Sequence, residues 1–318
     1  TRGMGGLEFE PAIGENRNAN ELIQIDELIS LTKQILNSKK KLKANLTKKQ
    51  SRALSEIISV GTSAGGARAK GIIAYNEKSG EVRTGQSEVP DGFNHWIIKF
   101  DGVSNEILGD PKGYGKIEYA YYLMAQACGI EMMECKLLKE KNRAHFMTKR
   151  FDRVQNTKLH VQSLCALGHF DYNDSFSWSY EDCFHVLLKL NLGYSAMEEL
   201  LRRMTFNIMG RNQDDHTKNI SFLMNNSGEW KLSPAYDVTY AYDPKNKWMK
   251  AHQMSINGKN ENLSKDDILS LAKTFNIKRA KSIIDEVSKG IRQWKKFAER
   301  AEVPVKQIQA IGKTHLIF

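Results

Sequence analysis

The sequence predicts an α+β protein of two unequal parts, a small β-rich N-terminal part and a larger, mainly helical C-terminal part. Three observations carry this expectation. Up to about residue 150, short runs rich in β-branched and aromatic residues recur. Beyond it, apolar residues fall at helical spacing in several long segments. A chain of 318 residues is long enough for each part to bury its own core.

In chain order, GIIAY (71–75), HWIIKF (95–100) and AHFMTKRF (144–151) read as strands. Between the second and third, EYAYYLMAQACG (118–129) has helical spacing with Gly129 as a stop. AMEELLRRMTFNIMG (196–210), KDDILSLAKTF (265–275) and AKSIIDEVSKGIRQWKKFAERA (280–301) read as further helices. NISFLMNNSGEWKLSP (219–234) alternates about an Asn-Asn-Ser-Gly turn and reads as a hairpin. No internal repeat or low-complexity tract appears.

Composition narrows the class. Lys+Arg 47 against Asp+Glu 37 leaves a formal charge of +10, which suits nucleic acid, nucleotide phosphates or an acidic partner. The densest basic stretch, residues 31–52, is open to two accounts, a solvated helical face or linker and a polyanion-binding patch; no zinc-finger spacing or RNA-binding aromatic motif accompanies it. Cys128, Cys135, Cys165 and Cys183 form no C-x-x-C pair and sit in apolar surroundings, so reduced buried thiols and a cytoplasmic location are expected. No apolar run of about 18 residues and no signal-peptide pattern occurs, so no membrane partner is expected.

SVGTSAGGARAKGIIAY (59–75) places a bare backbone beside two cations. Such a run can be a plain turn, or it can aim several N–H groups at an anion. The polar clusters that flank the hairpin are more specific. Asp214 and Asn219 in GRNQDDHTKN (210–219) repeat the D-x-x-x-x-N of a kinase catalytic loop, and Asp237 in SPAYDVTY (233–240) falls where a second, metal-holding Asp follows the next hairpin. Two carboxylates and an amide oxygen are hard ligands of the kind Mg²⁺ takes. Asp214, Asp215 and His216 could instead form a transition-metal site or cap the helix that ends near Gly210. Lys99 in WIIKF and Glu118, read as opening the next helix, repeat the strand-lysine and helix-glutamate pair that orients nucleotide phosphates.

RGMGGLEFEPA, TSAGGARAK, WIIKFD, EYAYYLMAQACGI, KRFDR, RNQDDHTKN and LSPAYDV, in this order, are similar to blocks of the HipA-like serine/threonine kinases, toxins of type II bacterial toxin–antitoxin modules. The resemblance spans nearly the whole chain. It implies a two-lobed protein-kinase-like fold: an N-terminal lobe with the Gly-rich loop over 1–147, and a helical C-terminal lobe with the catalytic and metal-binding loops over 148–318. It implies ATP and Mg²⁺ as cofactors. By motif, Asp214 is expected as catalytic base with Asn219 beside it, and Asn219 and Asp237 as the metal ligands. Gly65, Gly66, Ala67, Lys70, Lys99 and Glu118 are expected about the phosphates, with Met147, Lys149 and Phe151 at the adenine. Ser63 is expected as an autophosphorylated serine, against the simpler reading of a serine bonded to its own turn. His216 is read as a brace of the loop rather than as an acid.

The chain departs from the family pattern in places. Ala69 stands where many relatives have proline, and Lys149 where some have an acid. The family pattern has an N-terminal subdomain ahead of RGMG, and it is expected either from residues upstream of Thr1 or from a small separate protein. The expected activity is protein phosphorylation of a translation component such as an aminoacyl-tRNA synthetase. Expected partners are a HipB-like helix-turn-helix antitoxin and, through it, operator DNA. The alternatives are a small-molecule kinase of the aminoglycoside or choline type, and a catalytically silent co-repressor component on DNA.

Overall fold

Residues 4–7, 70–85, 88–101, 113–140, 143–174 and 176–318 are described by the computed structural model. The Gly-rich run with Ser63, Gly65, Gly66 and Ala67, and the basic stretch 31–52, lie outside them. Two compact units divide the chain. One comprises Thr1–Lys116 and Glu134–His160, the other Ile117–Met133 and Val161–Phe318.

The β-rich unit is built on an antiparallel five-stranded sheet. Its strands are β1 (Lys70–Tyr75), β2 (Val82–Thr84), β3 (Asn94–Lys99), then, after helix α1 (Tyr114–Ala127), β4 (Cys135–Glu140) and β5 (Arg143–Lys149), in the order β2-β1-β3-β5-β4. Val, Ile and aromatic residues fit the pleat, and Trp96, Ile73, Ile98 and Met147 are almost wholly buried. The three strands expected from sequence are β1, β3 and β5. The short pair β6 (Arg153–Val154) and β7 (Thr157–Lys158) follows.

Helix α1 begins at Tyr114, four residues before Glu118, so Glu118 sits in its second turn instead of opening it. The two glycines of KGYGK hide this start from a propensity reading. Gly115 is there for a close approach: a Cβ on it would stand 2.4 Å from the Ala144 carbonyl oxygen of β5.

A buried ion cluster closes the end of β5. Arg150 grips Asp152 with Nε and Nη2 at 2.8 and 2.7 Å, Arg153 Nη1 donates to the same carboxylate at 2.7 Å, and the Gly5 N–H adds a fourth bond at 2.8 Å. Burial alone would raise the Asp152 pKa, but the hydrogen bond and charge of Arg150, with Arg153 and Gly5, outweigh it and hold the carboxyl below its ordinary range.

The helical unit contains β8 (His160–Ser163, from Val161 onward), α2 (Leu164–Gly168), β9 (Trp178–Ser179), α3 (Tyr180–Lys189) and α4 (Tyr194–Met209). Then come the hairpin β10 (Ser221–Met224) and β11 (Trp230–Leu232), β12 (Met254–Ser255), and α5 (Lys265–Thr274), α6 (Ala280–Ile291), α7 (Trp294–Arg300) and α8 (Val305–Gly312). Capping boxes at Ser179/Asp182 and Ser264/Asp267 start α3 and α5. Tyr121, Tyr180, Phe184, Phe206 and Phe222 form its aromatic core.

The single helix expected over 280–301 is two helices, α6 and α7, that break at Arg292–Gln293. The turn carries the buried Trp294 to where its Nε1–H reaches the Ile308 carbonyl at 2.9 Å. Apolar spacing continues unbroken through the joint, which is why the sequence conceals it. Of the cysteines, Cys128, Cys135 and Cys183 are buried free thiols, while Cys165 is only half-buried, a correction to the expectation for all four.

Asp152→Ala should destabilise the chain by about 3–5 kcal/mol, because it removes the carboxylate that two buried guanidinium groups share. Urea unfolding of the two proteins measures this. Since folding depresses this pKa, its stabilisation is present above the unfolded value of 3.8 and lost as pH falls below it. The difference between parent and variant should therefore shrink in acid.

Candidate active site

The loop between α4 and β10 carries the acidic cluster. Its entry is fixed by backbone bonds: Ala241 N–H donates to Arg211 O at 3.0 Å, Gln213 N–H donates to Ala241 O at 3.2 Å, and the Tyr121 hydroxyl donates to Gly210 O at 2.5 Å. The two aspartates that follow face opposite ways. The Asp214 side chain is 54% exposed, whereas that of Asp215 is 1% exposed. Asp215 Oδ2 accepts from the Tyr180 hydroxyl and lies 2.8 Å from His252 Nδ1, and its Oδ1 accepts from the Gln253 N–H at 2.8 Å. Burial, then the Asp215 charge, push the Tyr180 hydroxyl pKa well above its ordinary value. Asn207 and Asn212 extend the network, Asn207 Nδ2 donating to Tyr180 at 3.0 Å and Asn212 Nδ2 to Asn207 at 2.9 Å.

Asn219 closes the loop on itself. Its Nδ2 donates to the Asp214 carbonyl oxygen at 2.7 Å, so the nitrogen of the amide is committed and the oxygen is the atom left for a cation. His216 Nε2 stands 3.8 Å from Asp214 Oδ1, with its ring edge-on to Tyr172. The ammonium of Lys218 rests over that same Tyr172 ring, 3.1 Å from its centroid.

The Asp237 segment is strapped to this loop. The Tyr236 hydroxyl donates to the Lys218 carbonyl oxygen at 2.5 Å and lies 2.5 Å from Ser221 Oγ. Upstream, Arg203 Nη1 donates to Ser233 O at 2.8 Å while its Nε holds Glu199 at 2.7 Å. Asp237 itself has φ +53°, a left-handed conformation that Asp tolerates better than most residues. The Asn219 oxygen and the Asp237 carboxylate are hard donors of the kind Mg²⁺ takes alongside waters and substrate phosphates. The rival transition-metal reading finds no support, since Asp215 turns inward to His252 and, among the described residues, no group of three or more His, Cys, Asp or Glu gathers to hold a metal.

In the β-rich unit, Lys70 of β1 and Lys99 of β3 are direct register partners, and both are buried. Lys99 ends its strand and sits near the centre of the sheet, not on an edge, with its Nζ 5.6 Å from the Phe146 ring centroid. Register pairs Lys99 with Phe146, Ile98 with Met147 and Trp96 with Lys149. By strand alternation, the Met147 and Lys149 side chains therefore point to the face opposite Lys70 and Lys99. The N–H groups of Lys149 and Arg150 are also committed, to the Glu134 and His95 carbonyls at 2.9 Å each. Phe151 lies past the sheet, on the turn before Asp152. Glu118 is buried on the part of α1 that belongs to the helical unit.

Sequence reasoning missed His252, Gln253, Tyr180 and Tyr236 as partners of the loop. LSPAYDV contained the last as an unassigned tyrosine. His252 and Gln253 lie in a stretch without periodicity, so nothing in the sequence pointed to them.

The arrangement is that of a kinase-like α+β fold, as the sequence led us to expect. HipA of Shewanella oneidensis MR-1, solved with HipB and its operator DNA, superposes with a TM-score of 0.66 at 17% identity, over 98% of this chain and 72% of its own. The HipA-like C-terminal domain family matches residues 62–295, and the chain belongs to that family. It is 26% identical over 247 residues to the Sinorhizobium fredii (strain NBRC 101917 / NGR234) protein named "Putative kinase Y4dM", covering 72% of this chain and 58% of that protein. "Putative kinase Y4mE" of the same strain is 28% identical over 131 residues, 37% of this chain and 31% of that one. The chain thus spans less than two thirds of the length of each of these curated relatives.

Asp215→Ala deprives three buried donors of their acceptor and should cost about 2–4 kcal/mol. Chemical denaturation checks this, and Asp214→Ala, at an exposed position, should stay within about 0.5 kcal/mol of the parent.

Proposed function

We propose that the chain is an ATP- and Mg²⁺-dependent serine/threonine protein kinase and acts as the toxin of a toxin–antitoxin module. The observation that carries this reading is the loop from Asp214 to Asn219: an exposed carboxylate at one end, an amide oxygen at the other, and the Tyr236 strap bringing the Asp237 segment to it. Phosphoryl transfer is mostly a matter of positioning and charge neutralisation, and these residues supply both. Asp214 would accept or orient the proton of the acceptor hydroxyl. Asn219 Oδ1 and the Asp237 carboxylate would hold the metal, whose chemistry when bound is to neutralise charge on the transferring phosphate. Lys70 and Lys99 would face the phosphates, and the turn at Phe151 would meet the adenine.

Family membership and the company that the Shewanella HipA keeps support further features of this reading. The partner would be a HipB-like antitoxin, which would bring the chain to operator DNA and hold it in the cytoplasm. The protein substrate would be a translation component such as an aminoacyl-tRNA synthetase. Among the described residues no helix is long and apolar enough to cross a membrane. The Gly-rich run would cover the phosphates, and a phosphate on Ser63 would add about −1.5 to −2 charge there and repel the nucleotide.

Asp214→Asn should lower phosphoryl transfer by about 100-fold or more while Mg-ATP still binds, and Asp237→Asn should raise the Mg²⁺ concentration needed for half-maximal rate. Labelled ATP with a cell extract, followed by calorimetry of Mg-ATP binding, measures both. Parent-level transfer by the two variants would overturn the assignment.

Mass spectrometry of the active protein should find phosphate on Ser63, and none in Asp214→Asn. Phosphate persisting in the inactive variant would mean that another kinase placed it.

A further inference from the structure

A cavity of about 30 Å³ in the helical unit is lined by residues of α4 and of the loop from Asn212 to Asn219. Three of the lining residues each hold a buried polar atom that meets no partner among the described residues: Arg203 Nη2, Asn212 Oδ1 and His216 Nδ1. The other polar atoms of these side chains are placed. Arg203 Nε and Nη1 donate to Glu199 and to the Ser233 carbonyl oxygen, and Asn212 Nδ2 donates to Asn207. His216 Nε2 stands 3.8 Å from Asp214 Oδ1. The three remaining atoms have almost no contact with solvent, so bulk water does not serve them, and each left unmet costs the full desolvation of its group.

Their chemistry is complementary to a single small ligand. Arg203 Nη2 can only donate, Asn212 Oδ1 can only accept, and an imidazole Nδ1 does either according to its tautomer. A water accepts from the first and donates to the second, and its remaining hydrogen calls for one more acceptor, which Nδ1 supplies. Size agrees. The cavity exceeds the ~10–15 Å³ that a water needs and falls far short of the ~300 Å³ at which small-molecule pockets begin.

We infer that this cavity is the site of an ordered water that ties α4 to the loop, and that this water fixes His216 as the neutral tautomer with its proton on Nε2, facing Asp214. The far side of the ring gives the same answer. The other tautomer would set the Nε2 lone pair against the Asp214 carboxylate, whereas this one turns an N–H dipole toward it. The imidazole is thereby held at both nitrogens, and its edge packs on the Tyr172 ring. A chain of polar contacts then runs from Arg203, anchored in α4 by Glu199, through the water and His216 to Asp214. His216 is a positioning residue in this arrangement, orienting the Asp214 carboxylate without touching a substrate. That consequence for phosphoryl transfer rests on the kinase reading; the water and the tautomer do not.

The test uses the full chain. A crystal structure that shows ordered water should find one bonded to Arg203 Nη2, Asn212 Oδ1 and His216 Nδ1. Long-range ¹H–¹⁵N spectra of histidine-labelled protein at about pH 8, where a free imidazole is neutral, should show His216 protonated at Nε2 and bare at Nδ1, its signals identified by their loss in His216→Asn. In that variant the amide oxygen takes the place of Nδ1, so the water should stay while the N–H facing Asp214 is lost. Asn212→Leu removes an acceptor, and the water should go with it. In phosphoryl transfer His216→Asn should lower kcat about tenfold with the KM for Mg-ATP within about twofold, and His216→Gln, whose amide N–H reaches the Nε2 place, should recover most of the loss. A dry cavity in the parent, a proton on Nδ1, or a doubly protonated ring at that pH overturns the inference, and an unchanged kcat in His216→Asn overturns the positioning role. The assigned water and tautomer in a chain that transfers no phosphate uphold the site and sink the kinase reading. Transfer by a chain whose cavity is dry sinks this inference alone.

Discussion

A buried carboxylate governs the site. Asp215 takes three polar partners from two separate segments, Tyr180 at the head of α3 and the side chain of His252 with the backbone of Gln253, and it does so with almost no contact with water. A charge in that position is tolerated only while its acceptors are filled, so the network is all-or-none. Its direction also decides that of its neighbour: with Asp215 turned inward, Asp214 is turned out to solvent. The exposed carboxylate at 214, which the proposed phosphoryl transfer would use, is thus set by the buried one beside it. The positioning cost is met by the core of the helical unit, not by the loop.

A second constraint is the two-residue period of the sheet. Lys70 and Lys99 share a face because β1 and β3 pair in that register, and the same register sends Met147 and Lys149 to the other side. Any nucleotide contact from residues 147–149 on the lysine face must therefore come from the main chain, and two of the nearby N–H groups are already engaged. The turn at 151–152, where the proposed reading puts the base, is locked in place by the Arg150–Asp152–Arg153 cluster. That cluster needs no sequence periodicity. It forms because a planar guanidinium offers a carboxylate two parallel donors.

These two constraints explain how much was legible in the sequence. The β1, β3 and β5 strands, the helices α4 and α5, and the hairpin about Asn225–Gly228 each satisfy one local rule, alternation, helical spacing or turn chemistry, and each appears where those rules place it. The start of α1 failed because Gly115 lowers helix propensity while serving a tertiary contact with Ala144. The joint at 292–293 failed because apolar spacing is blind to a turn that preserves it. In the site, the D-x-x-x-x-N loop and the following Asp were visible as spacing along the chain. The partners that orient them, His252 for Asp215 and Tyr236 for the loop carbonyl at 218, are set by folding across 37 and 18 residues, and no one-dimensional pattern reports that.

The strongly shifted acid–base groups of the helical unit belong to its packing. Burial raises Cys128 to about 12 and lowers His315 to about 4, so both are neutral near pH 7. Cys128 lies against Gly290, where a Cβ would stand 2.2 Å from its sulfur, and His315 Nε2–H donates to the Tyr121 hydroxyl 2.9 Å away, one hydrogen bond from Gly210 at the loop's entry. Perturbed groups often mark a catalytic centre, because many reactions need a side chain poised to titrate. Here they belong to a dry scaffold around the proposed site. That pattern suits the proposed phosphoryl transfer, whose demand would be for carboxylates and cations held still by a scaffold of neutral, close-packed groups.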